Sequence, residues 1–138
     1  MISEYYKRIK GNAERKFSDI LKSSELIQGT AGRIRKLRLH LIDNTFVDIW
    51  YSPDGSYSYH WEQRNIRDAI YRHDNAPHKR WRNVSTFPKH CHDGSQLNVT
   101  ESFLSDNSEN AVEEFLRLVR ERMVAEQIAV KRQIKPDD

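Results

Sequence analysis

Four of the six histidines, His73, His78, His90 and His92, fall between Tyr71 and Gly94, and His60 lies just upstream. Imidazole both gives and takes a proton near neutral pH. The same stretch holds Arg72, Arg80, Arg82, Lys79 and Lys89. Guanidinium presents a planar fork of donors that matches a phosphate. Asp74, Asp93, Pro77, Pro88, Gly94 and the only cysteine, Cys91, complete the block. Proton carriers and anion holders, set among residues that restrict the backbone, read as a site rather than as solvated surface.

His90 and His92 are two apart, so in extended backbone both rings point the same way, roughly 6–7 Å apart along the strand. Such a pair can act as base and acid on either side of a phosphate, or share a metal; the plain alternative is a polar edge strand facing water. His78 is placed to assist. Arg72, Arg80 and Arg82, with Lys89, interleave with Trp81 and Tyr71, a combination that holds phosphates and stacks on unpaired bases of single-stranded RNA. The competing reading puts Trp81 in the core, pairs Arg72 with Asp74 and leaves Arg80 and Arg82 in solvent. Asp74, Asn75 and Pro77 read as a turn that sets geometry, and Asp74 is also able to orient a histidine through Nδ1. Cys91 has no defined partner that would make it a nucleophile. A metal would draw on His73, Asp74, His78, His90, Cys91, His92 and Asp93. Cys91, however, points away from its neighbours in a regular strand, and there is no CxxC, HExxH or carboxylate cluster. No metal and no cofactor are therefore expected.

The elements that must position this block follow from periodicity. Tyr6, Ile9, Ala13, Phe17, Ile20 and Leu21 recur at helical spacing and predict an amphipathic helix over residues 3–24, broken by the stretch from Gln28 to Gly32. Leu37, Leu39 and Leu41, then Val47, Ile49 and Tyr51, then Tyr57, Tyr59 and Trp61, each alternate with polar residues and are separated by short turns. That is the mark of an antiparallel meander. Ile66–His73 predicts a fourth strand, with Ile70 on one face and Tyr71 and His73 on the other. Asp74–Arg82 reads as an ordered loop. Val84–Phe87, extending as far as His92, is a short strand candidate that Pro88 confines to an edge or a strand end; Leu97–Phe103 is a weaker one. Val112, Phe115, Leu116, Val119 and Met123 form the stripe of a closing helix over residues 108–130, with Asp106, Asn107 or Ser108 as N-cap. The tail from Lys131 to Asp138 reads as frayed. The expectation is one α+β domain, residues 1–138, with an antiparallel sheet of four to six strands over residues 33–103. Both helices pack on one face, and His60, His73 and the block are left to the other face or the edge.

With 138 residues, 37% hydrophobic and 31% charged, the chain has enough apolar material for one core. The formal charge is only +3, but between residues 60 and 94 seven Lys and Arg stand against four acids. This bias suits an anionic partner without requiring one. A single cysteine excludes a disulfide framework. Nothing resembles a signal peptide or a membrane span, so a cytoplasmic protein without a membrane partner is expected.

The run from Tyr71 to His78 (YRHDNAPH) followed by Thr86 to Gly94 (TFPKHCHDG) resembles the paired motif of the TumE-like toxins of prokaryotic toxin–antitoxin modules. That motif runs aromatic-R-x-D-N-A-P-H, then T-F-P-x-H-x-H-x-G. The resemblance covers about Arg33 to Met123, and Arg72, Asp74, Asn75, Pro77, His78, Pro88, His90, His92 and Gly94 occupy its positions. His73 stands where an aromatic is expected, and Cys91 replaces the usual residue. What the resemblance implies is a toxin neutralised by a cognate antitoxin encoded beside it.

The resulting expectation is a metal-independent endoribonuclease toxin. His90 and His92 are its acid/base pair, His78 assists, and Arg72 with Arg80 and Arg82 stabilises the phosphorane. Tyr71, Trp81 and Lys89 help to hold RNA. Two rivals stand beside it: a non-catalytic nucleic-acid- or protein-binding module, and a metal-dependent hydrolase or nuclease that uses the histidines. A homodimer is compatible with either.

Overall fold

The computed structural model describes residues 2–134. Helix α1 (Ile2–Lys16) leads into β1 (Leu21–Gln28), β2 (Ile34–Leu41), β3 (Phe46–Tyr51) and β4 (Tyr57–Glu62). A helical turn, α2 (Arg64–Arg67), precedes β5 (Ile70–Asp74). After a long connection come β6 (His90–Gly94), β7 (Val99–Glu101) and α3 (Ser108–Ile134). The seven strands lie in sequence order in one sheet, every neighbour antiparallel.

The α+β class and the meander are as expected, but the strands number seven rather than four to six. The expected first helix ends at Lys16, and the remainder of its span turns and enters β1. Phe17, Ile20 and Leu21 continue the helical spacing, which hid the change. β1 is also an edge strand, paired on one side only, with a register shift between Leu21 and Ser23. Its burial does not alternate cleanly, so period two is invisible there. Ile66 belongs to the α2 turn, and the fourth expected strand begins at Ile70. Val84–Phe87 forms turns and not a strand; pairing resumes only at His90. The α3 helix runs to Ile134, so residues 131–134 of the expected frayed tail are helical; the rest of that tail lies outside the described residues.

One face of the sheet is apolar because alternate residues of β2 to β6 are apolar. Leu37, Leu39, Leu41, Val47, Ile49, Tyr59, Trp61, Tyr71 and Cys91 are buried there, against Tyr6, Ile9 and Ala13 of α1 and Val112, Phe115, Leu116, Val119 and Met123 of α3. Phe115 stacks on Tyr71, with ring centroids 5.5 Å apart and planes 9° from parallel. Asn107 caps α3, its Oδ1 accepting from the Asn110 N–H at 3.0 Å. Among the described residues the opposite face receives no helix; the connection between β5 and β6 folds over part of it, through a 3-10 turn at Lys79–Trp81.

Candidate active site

On the bare face the antiparallel register lines up side chains in rows across the strands. Asp48, His60, Arg72 and His92 form one row; Trp50, Ser58, Asp74 and His90 form the next. Neighbouring members are about 4.8 Å apart along a row, the spacing between strands. A cleft of about 680 Å³ opens over them, with Trp50, His60, Arg72, Asp74, His78, Trp81 and His92 among its walls.

At its floor, Asp74, His90 and His92 converge, each offering one donor atom, all within 4.8 Å of one another. The His90 Nε2 to Asp74 Oδ1 distance is 3.1 Å, and His92 Nε2 to Asp74 Oδ2 is 3.6 Å. The other ring nitrogens are committed. His90 Nδ1 donates to the Pro88 carbonyl at 2.8 Å and His92 Nδ1 to the Gln96 carbonyl at 2.9 Å. A carbonyl can only accept, so each Nδ1 carries a proton, and each Nε2 is the ring atom turned to Asp74. His90 has no exposed surface, and its Nε2 has no hydrogen-bond partner. Trp81 leans over both rings, with centroid distances of 6.3 Å to His90 and 5.7 Å to His92.

Asp74 is shared among several neighbours. Arg72 Nε donates to its Oδ2 at 3.0 Å, and the Ala76 N–H to its Oδ1 at 3.0 Å, closing the expected Asx turn. Asn75 fixes the same corner, accepting from Tyr57 N–H and donating to the Gly55 carbonyl. Gly94 ends β6 with φ +88°, a left-handed conformation that favours glycine. The motif residues Asp74, Asn75 and Gly94 thus hold the backbone that carries the histidines.

Burial lowers the His92 pKa, opposed by its hydrogen bond to Gln96, so the ring is neutral at pH 7. Burial, then the charge of Arg72, lowers that of His60. Asp48 is pushed up by burial, but the hydrogen bonds from Arg38 and Lys36 outweigh this and hold its carboxyl below the usual range.

The structure separates the residues of the block. Arg72, His78, Trp81 and His92 line the cleft, and His90 lies behind them. Arg80 is exposed and stacks on Trp81 at 4.7 Å; Arg82 is exposed outside the cleft. Lys89 turns away, donating to the Leu104 carbonyl and pairing with Asp106. Tyr71 was expected to contact substrate, but it is buried on the helix-covered face under Phe115, as the alternation of β5 requires. His73 shares that face, contrary to its expected place beside the block. There Nδ1 meets Ser102 Oγ at 2.6 Å and Nε2 meets the Tyr71 hydroxyl at 2.8 Å. Burial, then Arg122, lowers its pKa to about 4. Cys91 points away from its two neighbours, as expected, and burial raises its thiol to about 11. It is not a thiolate at neutral pH. Asp74 faces the Nε2 atoms rather than Nδ1, because Nδ1 is taken by backbone carbonyls.

Trp50, Asp48 and Lys36 of the cleft were missed. The signal was available: Asp48 and Trp50 alternate with buried Val47 and Ile49, so they share the face of His60. Gln96 was also missed; its side chain accepts from Arg72 Nη2 at 2.7 Å while its carbonyl holds His92. Nothing in its local sequence marks it.

Fold and site together define a small α+β protein with one helix-covered sheet face and one bare face carrying a histidine-lined cleft. The model of the toxin TumE family matches residues 12–123, most of the chain and all seven strands, and the chain belongs to that family. The match reaches further towards the N-terminus than the motif resemblance, taking in part of α1. No curated protein and no solved structure gives a match. Among the described residues no helix is long and apolar enough to cross a membrane.

Proposed function

We propose that this toxin cleaves RNA in the bare-face cleft and is held inactive by a cognate antitoxin protein. The observation that carries the reading is the convergence of Asp74 and His92, which line the cleft, with His90 enclosed behind them, beside Arg72 and beneath Trp81. Cleavage through the 2′-hydroxyl needs a base for its proton, a cation for the phosphorane and an acid for the leaving 5′-oxygen. His92 is the base: it lines the cleft, is neutral, and its Nε2 faces Asp74, whose charge stabilises the imidazolium once the proton is taken up. Arg72 binds the phosphate, exposed His78 supplies the leaving-group proton, and Trp50 and Trp81 offer rings for stacking. His90 is enclosed, so it acts on RNA only through Asp74 and His92, as a positioning residue rather than half of a direct acid/base pair.

The charges of the cleft are nearly balanced, since Lys36 pairs with Asp48 and Arg72 with Asp74. Attraction for a polyanion rests more on the exposed Lys79, Arg80 and Arg82 of the covering connection. The test is His92→Ala, folded by circular dichroism, compared with wild type for growth inhibition on induction and for RNA cleavage by the purified chain. Loss of a positioned base predicts a fall of about 10²–10⁴ in cleavage rate and loss of growth inhibition. Full toxicity and cleavage in a folded His92→Ala protein would overturn the reading.

A further inference from the structure

We propose that Asp74, His90 and His92 form a binding site for one divalent transition-metal ion, of the class typified by Zn²⁺, with the cleft side of the ion left open. Binding itself does not depend on the nuclease reading; what the ion would do there does.

Three features of the cluster point to a cation. The donor set is two imidazoles and a carboxylate, which suits Zn²⁺, Fe²⁺, Co²⁺ or Ni²⁺ better than Mg²⁺ or Ca²⁺. The donors of a tetrahedral site with bonds of about 2.0–2.1 Å lie roughly 3.3 Å apart. His90 Nε2 lies 3.1 Å from Asp74 Oδ1 and His92 Nε2 3.6 Å from Oδ2, and one donor atom from each residue falls within 4.8 Å of the other two, so modest side-chain adjustment brings the set to that spacing.

The outer contacts are those of ligating histidines. Both Nδ1–H groups are donated to backbone carbonyls, which fixes ring orientation and turns both Nε2 atoms inward. That arrangement leaves an imbalance if nothing is bound. His90 Nε2 faces a carboxylate oxygen at 3.1 Å, yet it is buried without a hydrogen-bond partner. Such an orphaned polar group is costly to bury. A cation bound among the three residues gives this atom a partner and uses one donor from each residue.

A proton on His90 Nε2 is the rival solution, and Arg72 Nε on Asp74 Oδ2 already supplies one positive neighbour. Arg72 takes Oδ2, and the His90-facing oxygen, Oδ1, accepts one bond, from the Ala76 N–H, which leaves its second lone pair to the cluster. His92 and Asp74 both line the cleft, so the remaining coordination positions face water or substrate. A metal held by three protein ligands with an open position makes a nucleophile or base of its bound water near pH 7. Bound here, it would take over the base role assigned to His92 and replace the metal-independent chemistry expected from the sequence.

The purified full-length chain, stripped with chelator, is titrated with Zn²⁺ by calorimetry and with Co²⁺ by visible absorption. The proposal expects one equivalent to bind. Asp74→Asn and His90→Ala should each weaken binding by at least about tenfold; Cys91→Ser, on the other face of β6, should leave it unchanged. Should the ligand variants fail to fold, ¹⁵N NMR of wild-type imidazoles decides: Zn²⁺ must shift the Nε2 resonances of two histidines and not their Nδ1 resonances. No bound ion, no such shift, or undiminished affinity in a folded Asp74→Asn chain overturns the proposal. Cleavage by a chain shown free of metal keeps the nuclease and overturns the ion's part in it, the titration alone deciding binding; a bound ion on a chain that cuts no RNA keeps the metal site and overturns the nuclease.

Discussion

His73 and His90 are both buried histidines on adjacent strands, one register step apart, and they live in opposite chemical worlds. His73 faces the helices, where Ser102 and the Tyr71 hydroxyl satisfy both of its nitrogens and rings of Tyr71 and Phe115 pack edge-on around it. His90 faces the bare side, where one nitrogen is tied to a carbonyl and the other meets Asp74 without a hydrogen bond. A buried histidine with every valence filled is architecture. One with a buried, unfilled position aimed at a carboxylate holds interaction energy in reserve for a proton or an ion. Burial alone therefore does not tell the two roles apart; the hydrogen-bond inventory does.

The comparison is broken most forcefully from the helix side. Phe115→Ala removes the ring that packs against Tyr59, Tyr71 and His73, and should cost about 3–5 kcal/mol in urea unfolding. A loss below about 1 kcal/mol would mean that this face is less tightly packed than its burial implies. Ser102→Ala acts on the satisfied histidine alone. Leaving His73 Nδ1 buried without a partner should cost about 1–3 kcal/mol while growth inhibition persists. Loss of toxicity in a folded Ser102→Ala chain would place His73 in the functional machinery.

The smallest expected effect tests the ion pairs of the bare face through pH. Asp48 has its carboxyl held below the usual range in the folded chain, so the unfolded chain takes up that proton first on acidification. Its contribution is complete above the unfolded carboxylate pKa of about 4 and fades as pH falls through the lower folded value. Asp48→Asn should flatten the acid side of the stability–pH curve. An unchanged slope would show that Lys36 and Arg38 do not favour the charged form of Asp48.

The middle of the fold was legible because β2, β3 and β4 each bury one face and wet the other, which writes period two into the sequence. β1 was not, since an edge strand with several polar residues needs no such pattern and its start continues the helical spacing of α1. The histidine and arginine block announced the site, and the parity of Arg72 and Asp74 against Tyr71 and His73 already assigned opposite faces. Bringing His90 and His92 beside Asp74 required the register of β6, which depends on how residues 75–89 fold, and no local rule gives that. Burial of His90 depends on Trp81 reaching back over it, a contact between segments that periodicity does not describe.

The strict neighbour-to-neighbour order of the sheet has a consequence for how this protein comes into being in a cell. A meander can grow as it leaves the ribosome, since each new strand finds its partner already made. Asp74 is synthesised before the long connection and His90 and His92 after it, so the three cannot meet until β6 has zipped onto β5. The apolar side of that hairpin then stays uncovered until Phe115 arrives with α3. A nascent chain therefore keeps Asp74 apart from His90 and His92 until β6 has formed, and the sheet behind the cleft gains its full core only once α3 has been made.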